Sequence, residues 1–246
     1  MIIGHLTCDF PALRSCSLTC YSWYIAAVPH LHATLVVSLH FSWSPKRVWS
    51  TTIPYMYRLG LLPLIKSIQI CDLFNQMFSS KHLNCFIRHQ FGTLSNVETL
   101  QIRNLNIPSF MPRIRRYFRS FLPTLRSLHL ISPKGSNRQI IFFIGLFQHL
   151  ENLSLKRGPP NRGDPEDLTL IPSFAPSLQG RLVAWGWKTG FFQDVIDLFG
   201  KIGFRDMELY NVCETRLLLH ACADTLQVLQ LSSNDPFGEQ PYPRFL

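Results

Sequence analysis

Seven cysteines, nine histidines and one arginine-rich run are the residues of this 246-residue chain whose chemistry has to be tested first. Cys8, Cys16, Cys20, Cys71, Cys85, Cys213 and Cys222 form no Cys-x-x-Cys pair, and His30 and His32 follow Cys16 and Cys20 in no finger-like spacing. A structural zinc needs four clustered ligands, so these residues read as buried thiols in a reducing compartment. No metal and no cofactor is expected. The sequence contains no G-x-S-x-G elbow, Walker loop, H-E-x-x-H or G-x-G-x-x-G. Phe199-Gly200-Lys201-Ile202-Gly203 has glycines but neither the length nor the flanks of a phosphate loop. The chain therefore reads as a non-enzyme.

The most basic run is Arg113-Ile114-Arg115-Arg116-Tyr117-Phe118-Arg119. Helical spacing puts Arg115, Arg116 and Arg119 on one side, with Ile114, Phe118 and Phe121 on the other. A nucleic-acid binder combines phosphate contacts with adjacent stacking aromatics. Here the aromatics fall on the apolar side, so a solvated helix face is expected and nucleic-acid binding is a remote alternative. Trp185-Gly186-Trp187 carries two open readings: a core role, or a bulge that presents one Trp as an interface anchor. The Gly- and Pro-punctuated stretch 157–166 reads as a surface loop.

Those residues need a scaffold, and the strongest pattern in the chain supplies one. A Leu-x-x-Leu-x-Leu segment recurs, with apolar variants, at Ile65/Ile68/Ile70, Val97/Leu100/Ile102, Leu125/Leu128/Leu130, Leu150/Leu153/Leu155, Phe204/Met207/Leu209 and Leu226/Leu229/Leu231. The last positions step by 32, 28 and 25 residues, then by 54, then by 22. The long step is two periods, and a distorted copy with one extra residue, Leu178/Leu182/Ala184, sits inside it. Such a period means a solenoid, because one unit cannot bury its apolar side without neighbours. Each copy is a short strand whose alternate residues point inward and whose intervening residues line a parallel sheet. The stretches 73–91, 108–121, 138–147, 191–202 and 215–223 have helical spacing between the strands. Leu62-Pro63 and Leu122-Pro123 stop a helix and launch the next strand.

Composition agrees with a folded chain, since 46% of residues are hydrophobic and only 16% are charged. The net charge of +9 bears on association and not on fold. The longest apolar run, 140–147, is far short of the roughly 20 residues that span a bilayer. No leader segment is visible, so an intracellular location, cytoplasmic or nuclear, and no membrane partner are expected.

Ahead of the repeats the pattern changes. Asp9 and Pro11 predict a helix start, and Leu13, Cys16, Leu18, Cys20, Trp23, Ile25 and Ala26 keep helical spacing. An interruption is expected around Ser17 to Thr19, with Pro29 ending the second helix, and a short strand at 35–39. Ile2-Ile3-Gly4-His5-Leu6 followed by Leu13-Arg14-Ser15-Cys16-Ser17-Leu18-Thr19-Cys20-Tyr21-Ser22-Trp23 resembles the F-box motif, in the form common in fungal F-box proteins. Leu18, Cys20 and Trp23 fall in register with its Leu-Val-Cys-x-x-Trp end. Two features depart from it. The opening Leu-Pro-x-Glu helix is not seen, so a start inside the motif is expected, and Tyr21 replaces the usual Arg or Lys. The repeats are similar to the irregular leucine-rich repeats that follow F-boxes. The Asn usual three residues past the last Leu stands only at Asn234; Leu105, Pro133, Gly158 and Val212 occupy the equivalent places. The turns must then be satisfied in another way, and irregular curvature is expected.

The expected architecture is α/β: a leucine-rich-repeat solenoid with parallel strands on the concave side and helices outside, preceded by a small helical F-box-like segment. Residues 1–40 form that segment, 41–61 an irregular linker, and 62–246 about seven irregular repeats. The resemblance implies a substrate-receptor subunit of a cullin–RING ubiquitin ligase. Leu6, Leu13, Leu18, Cys20 and Trp23 would dock a Skp-type adaptor or pack the module. A substrate protein would be held at the concave face by Lys66, Gln69, Glu98, Gln101, Arg126, His129, Glu151, Ser154, Arg205, Glu208, Gln227 and Gln230. A repeat scaffold that no longer binds the adaptor is the alternative.

Overall fold

Each apolar copy folds as a strand because its residues alternate between a face that packs and a face that stays open. The computed structural model describes residues 6, 9–39, 56–72, 94–104, 107–109, 118, 121–156, 178–187, 190–200 and 202–232. It contains strands β1 (Thr34–Leu39), β2 (Ser67–Asp72), β3 (Thr99–Arg103), β4 (Ser127–Ile131), β5 (Asn152–Lys156), β6 (Arg181–Trp185), β7 (Asp206–Tyr210) and β8 (Val228–Ser232). They form one sheet, parallel at every pairing, in the order β1 to β8. A chain that adds strands to one edge in sequence order is compatible with an α/β solenoid. The predicted solenoid topology is observed to that extent.

The sheet begins earlier than the domain division at 62 implied. β1 pairs with β2 in the same register as every later pair, Leu35 opposite Ile68. Lys66 and Ser67 donate their N–H groups to the Ala33 carbonyl at 2.8 and 2.9 Å. The short strand at 35–39 is therefore the first strand of the sheet, and the first helical pair leads directly into it. Its copy is hard to see in sequence because Val36, on the open side, is apolar too.

The helices are α1 (Phe10–Thr19), α2 (Tyr21–Leu31), α3 (Asn137–Ile144), α4 (Phe191–Phe199) and α5 (Thr215–Ala221), with 3-10 turns at Leu62–Leu64 and Ile107–Ser109. α3 starts on a capping box: Ser136 Oγ accepts from the Gln139 N–H, and Gln139 Oε1 accepts from the Ser136 N–H. Its apolar face, Ile140, Ile141, Phe143 and Ile144, joins the strand residues in one core, as do Phe191, Phe192 and Val195 of α4 and Leu218 of α5. Phe118, Phe143 and Phe147 meet edge to face, with centroids 5.3 to 6.2 Å apart. Among the described residues, these helices cover one face of the sheet and none lies on the other. The stretch 73–91 and most of 108–121 lie outside the described residues, as do 157–166, Asn234 and the basic run apart from Phe118.

The inward positions of the copies from Ile65 to Leu209 are buried throughout. The last copy differs. Leu229 and Leu231 of β8 face the core side yet are 39% and 57% exposed.

Strand ends are satisfied by a device the sequence pattern did not flag. The residue two places past the last apolar position takes a left-handed conformation: Asn104 (φ 59°), Ser132 (φ 50°), Gly186 (φ 67°) and Asn211 (φ 51°). Each turns the chain off the sheet and aims its N–H at the next strand's last carbonyl. The acceptors are Ile131, Lys156, Tyr210 and Ser232, at 2.8 to 3.3 Å. Asn and Gly tolerate this conformation best, which is why short residues recur there without the expected Asn one place further on.

The N-terminal pair follows the local signals, with one correction. Asp9 Oδ1 accepts from the Ala12 N–H at 3.0 Å, with Pro11 in the first turn. The break predicted near Ser17 to Thr19 falls at Cys20, which is extended. Pro29 does not end α2, which continues to Leu31; a proline near the last turn forfeits one hydrogen bond and little else. Leu13 and Ala27 form a small core between the two helices, and Val28 ties α2 to the main core.

Candidate interaction surfaces

Parallel register converts the twelve residues read along the chain into two lines across the sheet. The first runs where the strands begin. Lys66, Glu98, Arg126, Glu151, Gly180, Arg205 and Gln227 succeed one another, each carbonyl accepting from the next copy's N–H groups at 2.7 to 3.3 Å. Lys66 pairs with Glu98 at 3.6 Å, and Arg126 pairs with Glu151. Both pairs are exposed, so each adds about 0–1 kcal/mol and is screened by salt. The second line crosses the middle of the open face: Val36, Gln69, Gln101, His129, Ser154, Val183, Glu208 and Gln230. All twelve expected residues lie on these two lines. One correction applies, because Ser154 is buried and is not a free projecting group.

A third line escaped the reading along the sequence. Arg103, Ile131, Lys156, Trp185, Tyr210 and Ser232 occupy the next open-face position. One further step of the strand's two-residue period past each last apolar residue would have found them. This line resolves the Trp-Gly-Trp reading. Trp185 stands on the open face, half-buried, while Trp187 is buried against Phe191 with ring centroids 4.1 Å apart. The core reading holds for Trp187, and Trp185 lies within β6 on the face away from the core.

Cations gather at the centre of this face. Burial lowers the pKa of His129, and the charges of Lys156 and Arg181 lower it further. Lys156 is also pushed down, first by burial and then by Arg103, while Glu208 partly restores it. Arg181 is held by Glu208. Mixed charge set among amide, hydroxyl and aromatic groups can read a polar protein segment, with Trp and Arg as the anchors.

The helical pair offers a different surface. Of the five residues assigned to it, Leu13 is fully buried and Leu6 packs against the small core, so these two hold the module together. Leu18 is 82% exposed, Trp23 42%, and Cys20 is exposed as well. Phe10, Tyr21, Tyr24 and Ile25 are exposed beside them. These exposed apolar residues all lie on the two helices of one small module. Among the described residues, no helix is long and apolar enough to cross a membrane. Neither a family model, nor a curated protein, nor a solved structure matches the chain.

Proposed function

We propose that this chain is a non-catalytic receptor subunit: an F-box-like helical pair that docks a Skp-type adaptor, joined to irregular leucine-rich repeats that hold a substrate protein. The observation that supports the docking half most directly is the exposure of Leu18, Tyr21 and Trp23. A single exposed Leu needs no explanation, but several large apolar side chains exposed within six residues call for a partner. Here α1 and α2 pack through Leu13 and Ala27 and leave the Leu-x-Cys-x-x-Trp end outward. The receptor half draws on the open sheet face, where three residue lines present polar and aromatic groups at a fixed spacing of about 4.8 Å between strands. In this reading ubiquitin transfer needs no chemistry in the chain, only a raised local concentration of substrate near the ligase.

The test is capture of the full chain by a purified Skp-type adaptor. Leu18→Asp and Tyr21→Asp should each reduce capture at least about tenfold, roughly 1.4 kcal/mol, while circular dichroism stays unchanged because both side chains are exposed. Absent capture, or capture indifferent to both substitutions, refutes adaptor docking. The same outcome with an intact fold leaves a repeat scaffold that acts through its sheet face alone, the reading that Tyr21, in place of the family's Arg or Lys, favours.

A further inference from the structure

We propose that a notch at Gly180, on the line where the strands begin, accepts one carboxylate side chain from an acidic segment of a partner protein. The line alternates in sign and pairs internally until it reaches this point: Lys66 with Glu98, then Arg126 with Glu151. Gly180 then contributes no side chain, and Arg205 follows with no acidic partner among the described residues. The result is a cavity of about 370 Å³ lined by Arg126, His149, Glu151, Gln179, Gly180 and Arg205.

The gap is imposed by the backbone. The distorted copy has one residue too many between Leu178 and Leu182, and the hydrogen bonds identify Gln179 as the insertion, since Gly180 takes the place in line that Glu151 holds one copy earlier. In the other copies two successive N–H groups share one carbonyl. Here Gly180 donates to the Glu151 carbonyl at 3.1 Å, while Arg181 donates to Asn152 Oδ1 instead, also at 3.1 Å. Asn152 is held from its other side by Nδ2, which donates to Ser127 Oγ at 3.1 Å. A Cβ on residue 180 would lie 2.7 Å from Asn152 Oδ1 and 2.9 Å from the Glu151 carbonyl oxygen. No side chain fits there, so the notch stays open.

Its charge selects the ligand. Arg126 and Glu151 cancel, and Arg205 leaves one positive charge on the opposite wall, two strand spacings or about 9–10 Å away across the sheet. A guanidinium binds a carboxylate in a two-pronged fit. One carboxylate neutralises the notch, whereas a doubly charged phosphate overshoots. The inference rests on the receptor half of the reading above and not on adaptor capture, so a chain that takes the acidic peptide but no adaptor keeps this proposal and loses that one.

The experiment is fluorescence anisotropy of a dye-labelled Glu-Gly repeat peptide titrated with the full chain, beside Gln-Gly and phosphoserine-Gly versions. Arg205→Gln should weaken the Glu peptide at least about tenfold, Arg205→Lys less, and Arg216→Gln, exposed on α5 and outside the sheet face, by under about twofold. Arg205 is exposed and its backbone bonds do not involve the side chain, so the variant keeps its fold. Equal losses in Arg205→Gln and Arg216→Gln would reduce the effect to the net charge of the chain and overturn the proposal. So would binding of the phosphoserine peptide alone, or no binding of the Glu peptide.

Discussion

Glu214 makes the most instructive test, because it stabilises a helix 22 residues upstream of itself. α4 begins at Gly190 without a local side-chain cap. Its amides are met from the following connection instead: Glu214 Oε1 accepts from the Gly190 N–H at 2.6 Å, and Oε2 from the Phe192 N–H at 2.8 Å. A helix start exposes amides that have no intrahelical acceptor, and it favours negative charge. A hydrogen bond to a charged group contributes about 1.5–3 kcal/mol. Discounting two such bonds for the half-exposed position of Glu214, Glu214→Ala should cost about 2–4 kcal/mol. Glu214→Gln keeps one acceptor oxygen and loses the charge, so about 1–2 kcal/mol is expected. Urea unfolding gives the totals, and native-state hydrogen exchange gives the location: the Gly190 and Phe192 amides should lose protection before those of β3 and β4. A cost below about 0.5 kcal/mol for Glu214→Ala would refute the reasoning, since surface changes of no consequence fall in that range. So would equal costs for the two substitutions.

Three further outcomes are expected. Phe143→Ala removes a buried ring from the edge-to-face cluster with Phe118 and Phe147 and should cost about 3–5 kcal/mol by denaturant unfolding; a cost under about 1 kcal/mol would mean the cluster is not packed. Asn211 is exposed with φ at 51°, so Asn211→Val should cost about 1–2 kcal/mol and Asn211→Gly under about 0.5 kcal/mol, and equal costs would discount the left-handed turn. His129 titrates in the folded protein below its ordinary 6.5, chiefly because of burial. The unfolded chain therefore takes up this proton first, so stability falls as pH drops through 6.5 and continues to fall until the folded imidazole protonates too. His129→Gln should flatten that part of a melting-temperature profile, and an unchanged slope would dismiss the group as its source.

Much of the sheet was legible along the chain. The Leu-x-x-Leu-x-Leu copies named seven of its eight strands, and the inward residues of the first six of those copies are buried. The same period placed all twelve open-face residues on two lines, because parallel register stacks equivalent positions once each copy is aligned. β1 was legible as a strand but not as a member of the sheet, since pairing with β2 is a contact across more than thirty residues. Ser154 looked as open as its neighbours, yet it is buried, and position in a pattern does not report what covers a side chain. The resemblance of residues 2–23 to an F-box supplied a function to test, and only the packing showed which of its residues point outward.

The sequence by itself determined where strands form and which residues face inward. Those are consequences of backbone alternation and apolar content, both local. Tertiary structure decided the rest: the Glu214 cap on α4, the left-handed strand ends feeding the next carbonyl, and the exposed core side of β8. It also decided the Gly180 notch. An inserted residue is visible in the chain, but the place where the extra length goes is settled by which acceptors the neighbouring strand has free. Asn152 offers its side-chain oxygen to Arg181, and that bond leaves no room for a side chain at residue 180.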